Sequence, residues 1–244
     1  MKRLLPVRRC PAWVPVLVLL LTVGQLAVAE WAPGIDRFAD KAFGARLIAY
    51  PLLMVLAPAI WWLAHRRREP RAALTSHHAP YGAFTLVMLP FLIDVTGNSL
   101  DLYDSLVWWD DLNHFANWLL LLTGLGLLLC EQVQPRWAVV VLVCGLGAIL
   151  AIGWEVGEWW TFIRHGTELD TAYEDTLGDE VLGTLGALGA GFLVAFRRPA
   201  PPVVTGPVGT VRSASRAGRE ARSVRRTAPP RRRPRTGRRR ATRR

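Results

Sequence analysis

The sequence predicts an all-α fold: a polytopic transmembrane helical bundle of about six spans, followed by a disordered basic C-terminal tail. Three observations predict it. Apolar residues make up 51% of the 244 residues and come in long uninterrupted blocks, the distribution that a bilayer interior demands. Many of the eleven tryptophans lie at block ends, as at Trp61, Trp62, Trp108, Trp109, Trp159 and Trp160, where aromatic rings anchor a span at the membrane interface. The charge is segregated: residues 197–244 hold 17 of the 30 basic residues and one acid, Glu220, leaving 13 basic against 18 acidic residues elsewhere. The net charge of +11 therefore belongs to the tail, and the membrane body is mildly acidic.

The first span is read at 11–29, after a segment carrying Lys2, Arg3, Arg8 and Arg9. Its Ala-Val-Ala ending has the form of a leader cleavage site, but the run is nearer a full span than the short apolar region of a leader. Residues 1–29 are thus expected to be a signal-anchor span. A second span at 46–64 ends in His65-Arg66-Arg67-Arg68. Spans three to six are read at 80–97, 114–130, 137–160 and 179–196, which makes 30–196 one helical membrane domain.

Bases alternate from loop to loop: four precede span one, another group follows span two, Arg136 follows span four, and the tail follows span six. Only Arg37, Lys41 and Arg46 after span one weaken the alternation. By the positive-inside rule both termini are expected in the cytoplasm of a plasma (inner) membrane protein. The tail at 197–244, rich in Arg and Pro and poor in residues able to form a core, is expected to be disordered. Its polyanion partner is expected to be anionic lipid head groups; no aromatic residues are interleaved for base stacking, which argues against nucleic acid. The three cysteines, Cys10, Cys130 and Cys144, have no metal spacing. Gly183, Ala187 and Gly191 form a small-residue stripe on span six, read as a helix-packing surface.

The functional question is posed by residues 153–179. Glu155 and Glu158 are three apart and Asp175 and Asp179 four apart, so each pair shares a helix face. In the six-span topology these pairs lie at the same depth as Asp94, Asp110, Asp111 and His114, on the extracytoplasmic side. Acids at a helix start suit the macrodipole, which accounts for Asp110, Asp111, Asp175 and Asp179. Asp94, Glu155 and Glu158 sit instead at C-terminal ends inside the apolar boundary, where an ionisable group costs up to about 2.5 to 3.5 kcal/mol and marks function. Either Asp110 or Asp111 can share a face with His114. The expected ligands of a divalent cation are Asp94, Asp110, His114, Asp175 and Asp179, with Glu155 and Glu158 as the catalytic carboxylates. Many carboxylates suit Mg, Mn or Ca; the histidine turns the set towards Mn or Zn.

Asp94, Gly97-Asn98, Tyr103, Trp108-Trp109-Asp110, His114-Phe115, Trp154-Glu155, Glu158, Asp175-Thr176, Asp179 and Gly183 occur in an order that resembles the YjdF-like family of uncharacterised bacterial inner-membrane proteins. A more distant likeness is to VanZ-like membrane proteins, which also pair a span-start Asp and His with later acids; their Gln and Arg positions have no convincing match. The resemblance implies a class and a topology, and no reaction.

Three functions remain open. One is a cation-dependent enzyme acting on an envelope or lipid-linked substrate, for which no nucleophile motif or Gly-rich phosphate loop is present. The second is a cation or proton transporter, and the third a structural or partner-binding membrane protein. Membrane lipids are the expected surroundings in each.

Overall fold

The computed structural model describes residues 10–32, 41–68, 79–131, 133–161, 163–165 and 167–197. The first nine residues, Arg37, Arg71 and the tail beyond Arg197 lie outside the described residues. The chain forms α1 (Trp13–Trp31), α2 (Phe43–Arg68), α3 (Tyr81–Ser99), the single turn α4 (Leu102–Ser105), α5 (Trp109–Leu129), α6 (Arg136–Thr161) and α7 (Ala172–Phe196). Two 3-10 turns, Ile163–His165 and Thr167–Asp170, join α6 to α7. No strand occurs among the described residues. The long helices are the 6 that are long and apolar enough to cross a membrane.

Two helices start earlier than hydropathy indicates. The apolar blocks begin at 114 and 179, yet α5 and α7 extend back to Trp109 and Ala172. Their first turns hold Asp110 and Asp111, and Glu174 and Asp175. Acids in a first turn interact favourably with the helix macrodipole and so support helix beyond the apolar part. Within α2, Pro51 and Pro58 are accommodated, as prolines in spanning helices are when neighbouring groups satisfy the freed carbonyls. Asp101, at φ 61°, turns the chain from α3 into α4; aspartate is among the few residues that enter the left-handed region readily.

The helices pack as two triplets. α7 makes its most extensive contacts with α5 and α6, while α3 joins α5 on one side to α1 on the other, and α2 leans mainly on α1. Leu122, Val139, Val143, Ala187, Ala190 and Val194 fill the centre of the first triplet. Leu26, Ala29, Tyr50 and Val95 fill that of the second, and Trp154 of α6 packs against both. Outward faces carry exposed aliphatic residues such as Leu52, Leu56, Leu142 and Ile149, a surface suited to lipid and not to water.

In lipid, helices associate by close packing more than by the hydrophobic effect. The small-residue stripe on α7 serves this: Gly183 lies against Trp118, Ala187 against Gly147, and Gly191 against Val140. The tightest backbone approach is at a residue outside the stripe, Gly186, where a methyl group would fall on the carbonyl of Phe115. Gly186→Leu should destabilise the bundle by about 1–3 kcal/mol or more. Gly145→Ala, with open space around the new Cβ, should be neutral or stabilising by up to about 1 kcal/mol. Thermal unfolding in detergent compares the two, and equal melting temperatures would contradict the close α5–α7 contact.

Candidate functional site

Because consecutive long helices run in opposite directions, the starts of α2, α5 and α7 meet the ends of α3 and α6. Their polar ends enclose a cavity of about 780 Å³. It has two chemically different walls.

The first wall is built from α2, α3 and α4 around Asp94. Arg46 donates from Nη1 to Oδ2 at 3.0 Å, and the Tyr50 hydroxyl donates to the same oxygen. Tyr103 donates to Oδ1 at 2.9 Å, and Asn98 Nδ2 approaches that oxygen at 3.2 Å. Arg46 and Tyr50, and Asp94 and Asn98, are each four apart and so share helix faces. Burial and the Asp94 carboxylate push the Tyr103 phenol far above its ordinary value, which keeps it a donor. Tyr103 in turn accepts from Asn113, whose Oδ1 accepts from Asn117 at 2.7 Å. At the rim, Lys41 bonds Asp101 and Asp104, each at 2.7 Å. Burial works against the ammonium, but the two aspartates outweigh it and raise its pKa. The contribution of this pair is therefore present below the ordinary lysine value and is lost as pH rises through the higher folded value. Its partners are well exposed, so it is worth about 0–1 kcal/mol.

The second wall is built from α5, α6 and α7 around His114. Its Nε2 lies 3.6 Å from Asp110 Oδ1 and 3.5 Å from Asp179 Oδ1. Its Nδ1 is buried without a hydrogen-bond partner. Glu155 and Asp179 are 6% and 5% exposed, and Glu158 is half-buried beside them. Two overlapping groups result, Asp110, His114 and Asp179, and His114, Glu155 and Glu158, each with ligand atoms within 4.8 Å of one another.

The structure thus brings together Asp110, His114, Glu155, Glu158 and Asp179 of the expected site residues. Of the two acids able to share a face with His114, Asp110 does so; Asp111 is exposed. Asp175 lines the cavity but is exposed and belongs to neither group. Asp94 also lines the cavity but belongs to neither group; four donors engage both its oxygens. Sequence reasoning missed Lys41, Arg46, Tyr50, Asn113 and Asn117. A signal was present: Arg46 disturbed the charge alternation at the depth of Asp94, and a charge in a span calls for an opposite partner at the same depth.

No curated protein and no solved structure matches this chain. A family profile described as "Predicted membrane protein (DUF2238)" matches residues 16–199, from within α1 to just past α7. The match agrees with the multi-pass membrane class that the spans imply, and bears on neither of the two narrower resemblances. Since the matched region contains both walls of the cavity and nearly all of the described bundle, the chain belongs to the family of predicted membrane proteins DUF2238.

Proposed function

We propose that the cavity is a divalent-cation site opening to the extracytoplasmic side of the plasma membrane and serving an envelope substrate. One observation carries this reading: a half-buried histidine shared by two carboxylate groups, with all ligand atoms of each group within 4.8 Å. Two carboxylates at that distance repel by about 3.5 kcal/mol at an effective dielectric near 20. Such crowding persists in a protein where something offsets it, and the donor set suits Mn, Mg or Zn. The Nε2 of His114 is the ring nitrogen that faces Asp110 and Asp179, and its buried Nδ1 is left without a hydrogen-bond partner, which a buried ring nitrogen ordinarily has. Asp110, His114 and Asp179 would hold the cation, which supplies Lewis acidity there. Glu155 and Glu158, grouped on the same histidine, would complete the ligand set, and one of them is the group placed to take or give a proton. In the purified protein, Mn at about a hundred times its dissociation constant should stabilise the fold by about 2.7 kcal/mol. A melting temperature indifferent to Mn, Mg, Ca and Zn alike would remove the reading.

A pocket open at one end is favoured over a transport pathway. Beyond the cavity, the α5–α6–α7 interface is filled by fully buried Leu122, Val139, Ala187 and Val194. Buried Thr22 and Thr123 donate to carbonyls of their own helices.

The orientation rests on where the bases lie. Arg66 and Arg136 are at the far end from the cavity, and of the described bases near it, Lys41 and Arg46 are ion-paired and Arg164 stacks 3.8 Å over Trp160. Both termini would then be cytoplasmic, with the basic tail on anionic lipid head groups. In a cysteine-free background, Ser105→Cys should react with an impermeant thiol reagent on intact cells and Glu131→Cys should not. The reverse pattern would place the cavity on the cytoplasmic side.

A further inference from the structure

Helices α2 and α6 both line the cavity, yet α2 packs on α1 and α3, and α6 on α7 and α5. They meet through the rings of Tyr50 and Trp154, whose centroids are 6.3 Å apart. One turn nearer the polar end stand Arg46 on α2 and Glu158 on α6, both lining the cavity. The cavity is therefore flanked on this side by two helices that are not packed along each other. Both expose aliphatic side chains to the bilayer, among them Leu52 and Leu56 on α2 and Ile152 and Val156 on α6.

The lining is amphiphilic. Ionic groups occupy the rim, while Phe91, Trp118, Leu121 and Trp154 supply an apolar and aromatic surface. A free ion needs no such surface; a molecule with an apolar part does. The ionic groups are unequal: Lys41 and Arg46 face Asp94, Asp104, Asp110, Glu158, Asp175 and Asp179. An anion entering this field alone is repelled, whereas one arriving with a divalent cation on the carboxylate wall meets that cation on one side and the two bases on the other.

We propose that the substrate is a membrane lipid with a phosphate head group, admitted sideways from the bilayer between α2 and α6, its phosphate bridged to the carboxylate wall by the cation. This rests on the cation reading above and names its substrate class. Binding of lipid and cation is then mutually dependent, each raising the affinity of the other by the same factor.

The test uses the full-length protein in neutral detergent, with fluorescent phosphatidic acid and phosphatidylcholine probes of identical chains. With Mn present, the phosphatidic acid probe should bind at least about tenfold more tightly. Chelator or Glu158→Gln should abolish that preference, and inorganic phosphate should not displace the probe. A diazirine in the acyl chain should label α2 and α6 above the other helices. Equal binding of the two probes, while Mn still binds by electron paramagnetic resonance, overturns the lipid inference and leaves the cation site standing. Displacement by inorganic phosphate at comparable concentration assigns the site to the free anion, and labelling spread evenly over all helices overturns the side route. Absence of Mn binding removes both readings.

Discussion

Arg46→Gln should lower the stability of the bundle by about 3–5 kcal/mol, the cost of breaking a buried ion pair by removing one partner. Arg46 and Asp94 each have side chains only 15% exposed, and their contact at 3.0 Å ties the start of α2 to the end of α3. Glutamine leaves the carboxylate charged among neutral donors, Tyr50, Tyr103 and Asn98. These donors soften the loss without matching a guanidinium. The pair itself contributes little relative to apolar residues of similar size, so Arg46→Met combined with Asp94→Leu should recover much of the loss. A double-mutant cycle by unfolding in detergent measures the coupling. A cost for Arg46→Gln below about 1 kcal/mol, the range of exposed pairs, would show that the network is solvated and does not organise this wall.

Glu155→Gln and Asp179→Asn should behave oppositely. Each removes a carboxylate that is crowded by others, so stability without metal should be unchanged or higher. The stabilisation of about 2.7 kcal/mol expected from saturating Mn should disappear. Asp94→Asn is the control, since it should cost stability while leaving the response to Mn intact. The three variants thus separate a carboxylate that holds the fold from carboxylates that hold a ligand. If Glu155→Gln lowers stability as much as Asp94→Asn and the Mn response survives, the α6 acids are structural.

The six long helices were legible because a bilayer imposes length and apolarity at once, and each block satisfied both. The extension of α5 and α7 into their polar first turns was legible only through the acids there, because hydropathy is blind to helix that leaves the apolar zone. The acidic wall could be read from spacing: Asp110 with His114, and Glu155 with Glu158, are one turn apart on single helices. The Arg46–Asp94 pair could not, because its partners are 48 positions apart on different helices. Spacing along one helix gives no information about which helices pack. The same limit holds for Asp94: its place along α3 says nothing of Arg46 and Tyr50, the hydrogen-bond partners that another helix brings to it. Gly186 illustrates the corresponding limit in packing, since a stripe marks a surface but not the point where two backbones approach most closely.

The cation site is tested most directly by electron spin-echo spectroscopy of Mn bound to the purified protein. The expected result is a single 15N coupling from one histidine in uniformly 15N-labelled protein, lost in His114→Gln together with tight binding and retained in Asp94→Asn. Manganese that binds only as the hydrated ion, or a nitrogen coupling that survives His114→Gln, would contradict a centre built on His114, Asp110, Asp179, Glu155 and Glu158.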